Sequence, residues 1–181
     1  MKTGTEYANE AEKSKYDSLK YSQVDCQAFC ELVLKNIGVR QANGKVYDWR
    51  GSNDMFRNAV SWRGTLAECR KKYGCIPRGS WAFMVAHDGG EVARGYHDEL
   101  GNAAHVAIVV NENQVRDSTK GSKRDGVAYR TITDFNYIGI PKMLDIGSTS
   151  HNIIEIDTDE LNSVLTSLNQ INNIMKGWLP K

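Results

Sequence analysis

No stretch of this 181-residue sequence approaches the roughly 18 consecutive apolar residues that a membrane-spanning helix requires. An excess of one charge is also lacking, because 23 Lys and Arg residues against 22 Asp and Glu residues leave a formal net charge of +1. Proteins that bind nucleic acids concentrate basic residues on one face. The sequence therefore predicts neither a membrane span nor a nucleic-acid partner.

Cysteine is scarce, with only Cys26, Cys30, Cys69 and Cys75 in the chain. Four cysteines are too few to build a disulfide scaffold for a chain of this length. Their spacing also differs from the paired C-x-x-C pattern of structural zinc sites. We therefore expect no metal and no organic cofactor.

The spacing of apolar residues predicts an α+β fold, with helices before a central antiparallel sheet. Phe29, Val33 and Ile37 recur every four residues, which indicates an amphipathic helix over residues 26–37 that ends at Gly38. Shorter helices are expected at 53–60 and 65–72, and strands at 80–86, 105–110, 114–119, 127–133 and 137–144. Helices followed by strands are typical of the α+β class.

The end of the chain shows a different pattern. Apolar residues alternate in steps of three and four at Leu161, Val164, Leu168, Ile171, Met175 and Trp178. This spacing predicts a C-terminal amphipathic helix. We expect a domain over residues 1–147, of which 1–20 form a helical extension, and a linker with this helix over 148–181. The helix either packs on its own domain or joins copies of the chain or a larger assembly.

Cys26 is the candidate nucleophile, because it lies at the start of the predicted 26–37 helix. A helix N-terminus favours the reactive thiolate, since unpaired backbone N–H groups and the helix dipole stabilise negative charge. Cys30 lies one turn further into the same helix. The alternative is that Cys26 is an apolar thiol packed in the core.

Thiolate chemistry also needs an imidazole and a third group that orients it. Of four histidines, His105 begins the most apolar predicted strand and is therefore held rigidly. A three-residue turn at 111–113 would place Asp117 of the next strand on the same face as His105. A two-residue turn would instead favour Ser118.

These residues carry a resemblance to a known family. The Asp25-Cys26-Gln27-Ala28-Phe29 segment is similar to the D-C-S-G-F motif of the NlpC family of papain-like cell-wall cysteine peptidases. His105 opens the sequence HVAIV, which resembles that family's H-V-G-I-Y strand. The family's third catalytic residue falls twelve positions further on, which corresponds to Asp117 here. The resemblance covers residues 20–145 and implies a papain-like fold.

The resemblance also implies an activity. A member of this family hydrolyses an amide bond of peptidoglycan stem peptides, typically after D-glutamate, through a thioester on the cysteine. Cys26, His105 and Asp117 would then be catalytic, and Tyr21, Asp25 and Gln27 would contact substrate. Gln27 and Ala28 replace the family's Ser-Gly, and Asp117 replaces its usual histidine.

Two other functions are compatible with the same residues. The fold could carry acyl transfer or amidase chemistry, or it could be a catalytically idle binding module of a phage tail or cell wall. The N-terminal residues also lack the apolar core of a secretory signal. A cell-wall enzyme of this kind is expected to be released by lysis or carried on a phage particle.

Overall fold

The computed structural model describes residues 1–87, 96, 98–122, 124–147 and 166–167. Contacts between Cα atoms divide the chain into two units, Met1–Thr149 and Ser150–Lys181. Of the second unit only Thr166 and Ser167 are described, and both are helical. The rest of the predicted C-terminal helix lies outside the described residues. Within the described ranges, no helix has both the length and the apolar character needed to cross a membrane.

The described part of the first unit contains four α-helices, and the start of three of them is capped by a side chain. They are α1 (Gly4–Ala11), α2 (Cys26–Asn36), α3 (Ser52–Asn58) and α4 (Leu66–Tyr73). Thr3 and Glu6 form a capping box at α1, as Thr65 and Glu68 do at α4. Gly74 ends α4 in the left-handed conformation, with φ of 78°.

Eight strands are described, in one large sheet and one small pair. They are β1 (Lys2–Thr3), β2 (Val60–Thr65), β3 (Trp81–Ala86), β4 (Asn102–Asn111), β5 (Gln114–Gly121), β6 (Arg124–Thr131), β7 (Tyr137–Pro141) and β8 (Leu144–Asp145). The six-stranded sheet has the order β2-β7-β3-β4-β5-β6, and all its neighbours are antiparallel. β1 and β8 form a parallel pair. The mixed α+β class that the sequence predicts is confirmed.

The N-terminal helix is part of the core. Tyr7 of α1 is fully buried, and its hydroxyl donates to the Cys30 carbonyl at 3.0 Å and accepts from Trp81 Nε1 at 3.1 Å. These two bonds join α1 to α2 and to the central strand β3. Because a buried hydroxyl without partners would be costly, they also fix the spacing of the three elements.

Two elements differ from the predictions. The expected helix over 53–60 ends at Asn58, and residues from Val60 form the strand β2, which pairs with β7. Val60 and Gly64 are buried in this strand and Ser61 is exposed. The alternation of buried and exposed residues that predicts a strand is therefore weak here. The parallel pairing of β1 with β8 was not expected either, because it joins residues at opposite ends of the unit.

Candidate active site

Cys26 is the first residue of α2, as the sequence predicts. The Asp25 carboxylate caps the helix by accepting from the Ala28 N–H at 2.8 Å. The N–H groups of Cys26 and Gln27 are among the first four of the helix, which have no acceptor within it. The Cys26 side chain thus lies beside backbone groups that favour negative charge.

The structure separates the two cysteines of this helix by their access to solvent. Cys26 is 8% exposed, whereas Cys30 is fully buried. Burial, followed by the nearby Cys26, raises the pKa of the Cys30 thiol far above its ordinary value. Cys30 is therefore the packed thiol, and Cys26 is the more accessible of the two.

His105 lies on β4 and contacts a carboxylate of the next strand. Its Nε2 atom is 2.5 Å from Oδ2 of Asp117, and the Asp117 side chain is fully buried. The Phe135 ring stacks on the imidazole with 6.0 Å between ring centroids and 28° between the planes. The structure therefore brings together the predicted imidazole and its predicted orienting group.

The turn between β4 and β5 explains how Asp117 reaches His105. The turn itself has two residues, since Asn111 pairs with Gln114. Val110 is an extra residue in β4, because the next pair joins Val109 to Val115. This bulge restores the register that a three-residue turn would give, and so Asp117 shares a face with His105. Asp117 thus lies on the expected face although the turn has two residues rather than three, and its catalytic role stays a prediction.

Ser118, the alternative orienting group, has another partner. Its side chain is fully buried, and the hydroxyl donates to the Val24 carbonyl at 2.5 Å. Because successive side chains of a strand point to opposite faces, Ser118 lies on the face of β5 opposite to Asp117. Its bond holds the segment just before Cys26 against the sheet.

The imidazole also contacts the thiol. Burial lowers the pKa of His105, but hydrogen bonds with Asp117 and then with Cys26 outweigh burial and raise the pKa to about 9. Because Nε2 faces Asp117, Nδ1 is the nitrogen that remains for Cys26. The imidazole is consequently protonated at neutral pH and bridges the sulfur and the carboxylate.

Arg130 and Phe135 complete this cluster, and neither was predicted. Arg130 Nη1 lies 3.1 Å from Asp117 Oδ2, and its guanidinium lies 5.1 Å from the centre of the Phe135 ring. The other carboxylate oxygen of Asp117, Oδ1, is buried and has no hydrogen-bond partner among the described residues. The position of Arg130 follows from the pairing of β5 with β6, and Phe135 comes after the short 3-10 turn Ile132–Asp134 that follows β6; sequence spacing alone provides neither.

The three residues predicted to contact substrate lie near the Cys26 thiol, and each has different partners within the protein. Tyr21 is half-buried; burial raises its pKa, and the nearby Cys26 and Asp25 add to the rise. Asp25 is the helix cap described above. The amide nitrogen of Gln27 donates to the Glu31 carboxylate at 2.8 Å and to the Trp49 carbonyl at 2.5 Å. Gln27 thus connects α2 to the segment that precedes α3.

An open hollow of about 400 Å³ lies beside Phe135. Its walls include Met84, Ala86 and Ala104, together with residues 133–136. The Asn136 side chain on this wall bonds both the N–H and the carbonyl of Val85, at 2.8 and 2.7 Å. The surface of the hollow is mainly apolar, and Phe135, which stacks on His105, is the part of its wall that contacts the imidazole. Neither this hollow nor a larger cavity of about 670 Å³ is lined by any of the three predicted catalytic residues.

Comparison with protein-family models, curated proteins and solved structures found no significant match. The function is therefore inferred from the side chains of this chain. Within the described residues, no group of three or more His, Cys, Asp or Glu could hold a metal ion. The chemistry that these residues can support is that of a thiol, an imidazole and a carboxylate in contact.

Proposed function

We propose that this chain is a cysteine peptidase with a papain-like fold that cleaves an amide bond through a thioester on Cys26. One observation carries the proposal: His105 bonds the buried Asp117 carboxylate through Nε2 and also contacts the Cys26 thiol, with its pKa raised to about 9. An imidazole that is protonated at neutral pH stabilises a thiolate beside it. A packed, idle cysteine would need neither group.

The reaction follows from these contacts. The Cys26 sulfur attacks the carbonyl carbon, and a C–S bond forms as negative charge moves to the oxygen. The Cys26 N–H at the start of α2 stabilises that oxygen. His105 then gives its proton to the nitrogen of the leaving amine as the C–N bond breaks.

The second half of the reaction regenerates the enzyme. Neutral His105 takes a proton from water, and the resulting hydroxide attacks the thioester carbon. The C–S bond breaks, a carboxylic acid product leaves, and the thiolate is again paired with the imidazolium. Asp117 keeps the imidazole in the orientation that both proton transfers require.

The proposed substrate is a peptidoglycan stem peptide, cleaved after D-glutamate. The resemblance of residues 25–29 and 105–109 to the NlpC motifs supports this choice, as does the position of Asp117 twelve residues after His105. The arrangement of α2 against the strands that carry His105 and Asp117 is compatible with a papain-like fold. The apolar hollow beside Phe135 provides space for small side chains of such a peptide.

The deciding experiment is digestion of purified peptidoglycan, with mass analysis of the released fragments. Wild type should release fragments with a new amine, and Cys26→Ala should release none. Cys30→Ala is the matched control, because it removes a thiol from the same helix one turn away, and it should retain cleavage. Equal products from wild type and Cys26→Ala would refute the proposal.

Alkylation separates the enzyme from an idle binding module. Iodoacetamide at pH 6 should label Cys26 in preference to the other cysteines, because an ordinary thiol is almost unreactive at that pH. His105→Gln should slow this labelling strongly, since the imidazolium that stabilises the thiolate is then absent. Slow labelling of Cys26 in the wild type would favour the binding module.

A further inference from the structure

Arg130 and His105 bond the same oxygen of one buried carboxylate. Arg130 lies on β6 directly opposite Val115 and therefore diagonally from Asp117 on the same face. Its Nη1 atom is 3.1 Å from Asp117 Oδ2, and His105 Nε2 is 2.5 Å from that atom. Arg130 and protonated His105 thus both donate to Asp117 Oδ2, so two cations share the negative charge of this oxygen.

Further contacts hold the guanidinium in this position. Its Nε atom donates to Asp134 Oδ2 at 3.2 Å, and its plane lies 5.1 Å from the centre of the Phe135 ring. The same ring stacks on His105. The Arg130 side chain is only 16% exposed. Because the arginine is confined on several sides, its charge acts at a fixed distance from the carboxylate.

We propose that Arg130 is a positioning residue that shares the Asp117 carboxylate with His105 and so limits how strongly that carboxylate holds the imidazole proton. This inference rests on the proposed acid–base role of His105. A general acid must release its proton during each turnover, and a buried carboxylate with no other partner would retain that proton too firmly. The guanidinium draws part of the negative charge of Oδ2 away from Nε2.

The charged groups around the imidazole come from four elements. Cys26 of α2 and Asp117 of β5 contact His105 directly, Arg130 of β6 contacts Asp117, and Asp134 follows β6 and contacts Arg130. Removing Arg130 takes its positive charge away from the carboxylates of Asp117 and Asp134. The loss at either carboxylate favours the protonated imidazole, and so both effects raise the pKa of His105.

The test is an NMR titration of the His105 ring in the full chain, in a Cys26→Ala background that removes the thiol from the titration. Arg130→Gln should raise the pKa of His105 by about one pH unit, which is at the lower end of shifts caused by a neighbouring opposite or like charge. Arg130→Met, which keeps apolar contact with Phe135, should give a similar rise. Arg130→Lys keeps the positive charge and should therefore show little of this rise in the pKa of His105.

Arg124→Gln is the matched control, because Arg124 is an exposed arginine of the same strand that bonds the Tyr129 carbonyl at 3.0 Å. It removes the same charge from β6 without contact to Asp117 and should leave the titration unchanged. The inference is wrong if His105 titrates unchanged or at lower pH in both uncharged variants, or if Arg124→Gln has an equal effect. No substrate is used, so failure to cleave peptidoglycan would leave this result standing.

Discussion

Two opposing influences act on His105, and their balance determines what the site can do. Burial disfavours the charged imidazole, but hydrogen bonds with Asp117 and Cys26 favour it, and the pKa rises to about 9. An imidazole that stayed neutral at pH 7 could only accept a proton at the start of a reaction. Protonated His105 instead carries a positive charge at neutral pH, which favours negative charge on a neighbouring sulfur.

Asp117→Asn tests the source of this balance. Asparagine has nearly the same shape but no charge, so we expect the pKa of His105 to fall towards its ordinary value. Cleavage of peptidoglycan should slow by about 10²-fold at neutral pH, because the imidazole loses both its orientation and its positive charge. NMR titration of the ring and rates of fragment release would measure the two effects. A pKa of His105 that stays near 9 in this variant would contradict the assignment.

The same pKa makes stability depend on pH. The folded pKa of His105, about 9, lies above the ordinary value of 6.5. The stabilising contribution is therefore complete below about pH 6.5 and is lost as the pH rises through 9. A shift of this size corresponds to about 3 kcal/mol of unfolding free energy.

Denaturant unfolding of wild type and Asp117→Asn at a series of pH values measures this contribution. The difference in unfolding free energy between the two proteins should shrink between pH 6.5 and 9.5, because wild type alone loses the imidazolium–carboxylate pair. Ionisation of cysteines in the unfolded chain affects both proteins equally and cancels. A difference in unfolding free energy that stays constant from pH 6.5 to 9.5 would show that the imidazolium–carboxylate pair of His105 and Asp117 does not stabilise the fold.

At the scale of elements, helix α3 holds the start of the strand that carries His105. The Ser52 hydroxyl donates to the Ala103 carbonyl at 2.6 Å, and Asn53 Oδ1 accepts from the Ala103 N–H at 2.9 Å. Arg57 of the same helix donates to the Gly101 carbonyl at 2.8 Å and lies 4.3 Å from the centre of the Tyr96 ring. These contacts fix β4 two residues before the imidazole.

Arg57→Met tests this role of α3. The variant keeps an unbranched apolar stem but loses the guanidinium and its hydrogen bonds, so we expect the Tm to fall by about 5 °C. Alkylation of Cys26 at pH 6 should also slow, because His105 is held less firmly. Arg50→Met is the control, since the Arg50 side chain is exposed, and it should change neither quantity. Equal effects of the two substitutions would show that the contacts of Arg57 do not hold the start of β4 in place.

At the scale of the whole molecule, the site lies within one unit of the chain. Among the residues that the structure describes, those that contact His105 belong to Met1–Thr149, and so do both members of each strand pair. The hydrophobic core that supports the site likewise consists of residues before Gly147. The chemistry should therefore not require Ser150–Lys181.

Shortening the chain to end at Thr149 tests this independence. The shortened protein should unfold at the same Tm as the full chain and should label Cys26 at the same rate. Sedimentation of both proteins would show whether the C-terminal residues also join copies of the chain, in which case only the full chain forms the larger species. Loss of folding on shortening would show that the last residues belong to the same cooperative unit.

Some elements could be predicted from the sequence because their signals are local. The four-residue spacing of Phe29, Val33 and Ile37 predicted helix α2, and the structure confirms its start at Cys26. The strand of His105 was predicted from its run of apolar residues. β2 was missed because its pairing with β7 joins residues far apart in the sequence, such as Val60 and Pro141. Such partners leave no short-range pattern.

The sequence by itself determined the α+β class, the position of Cys26 at a helix start and the placement of His105 on a strand, since capping and hydrophobic period act over a few residues. Only the tertiary structure decided that Asp117 faces His105, because the bulge at Val110 compensates for the short turn. It also decided that Arg130 and Phe135 join the site. The position of Arg130 depends on how β5 pairs with β6, and that of Phe135 on the turn between β6 and β7, so both are properties of the whole sheet.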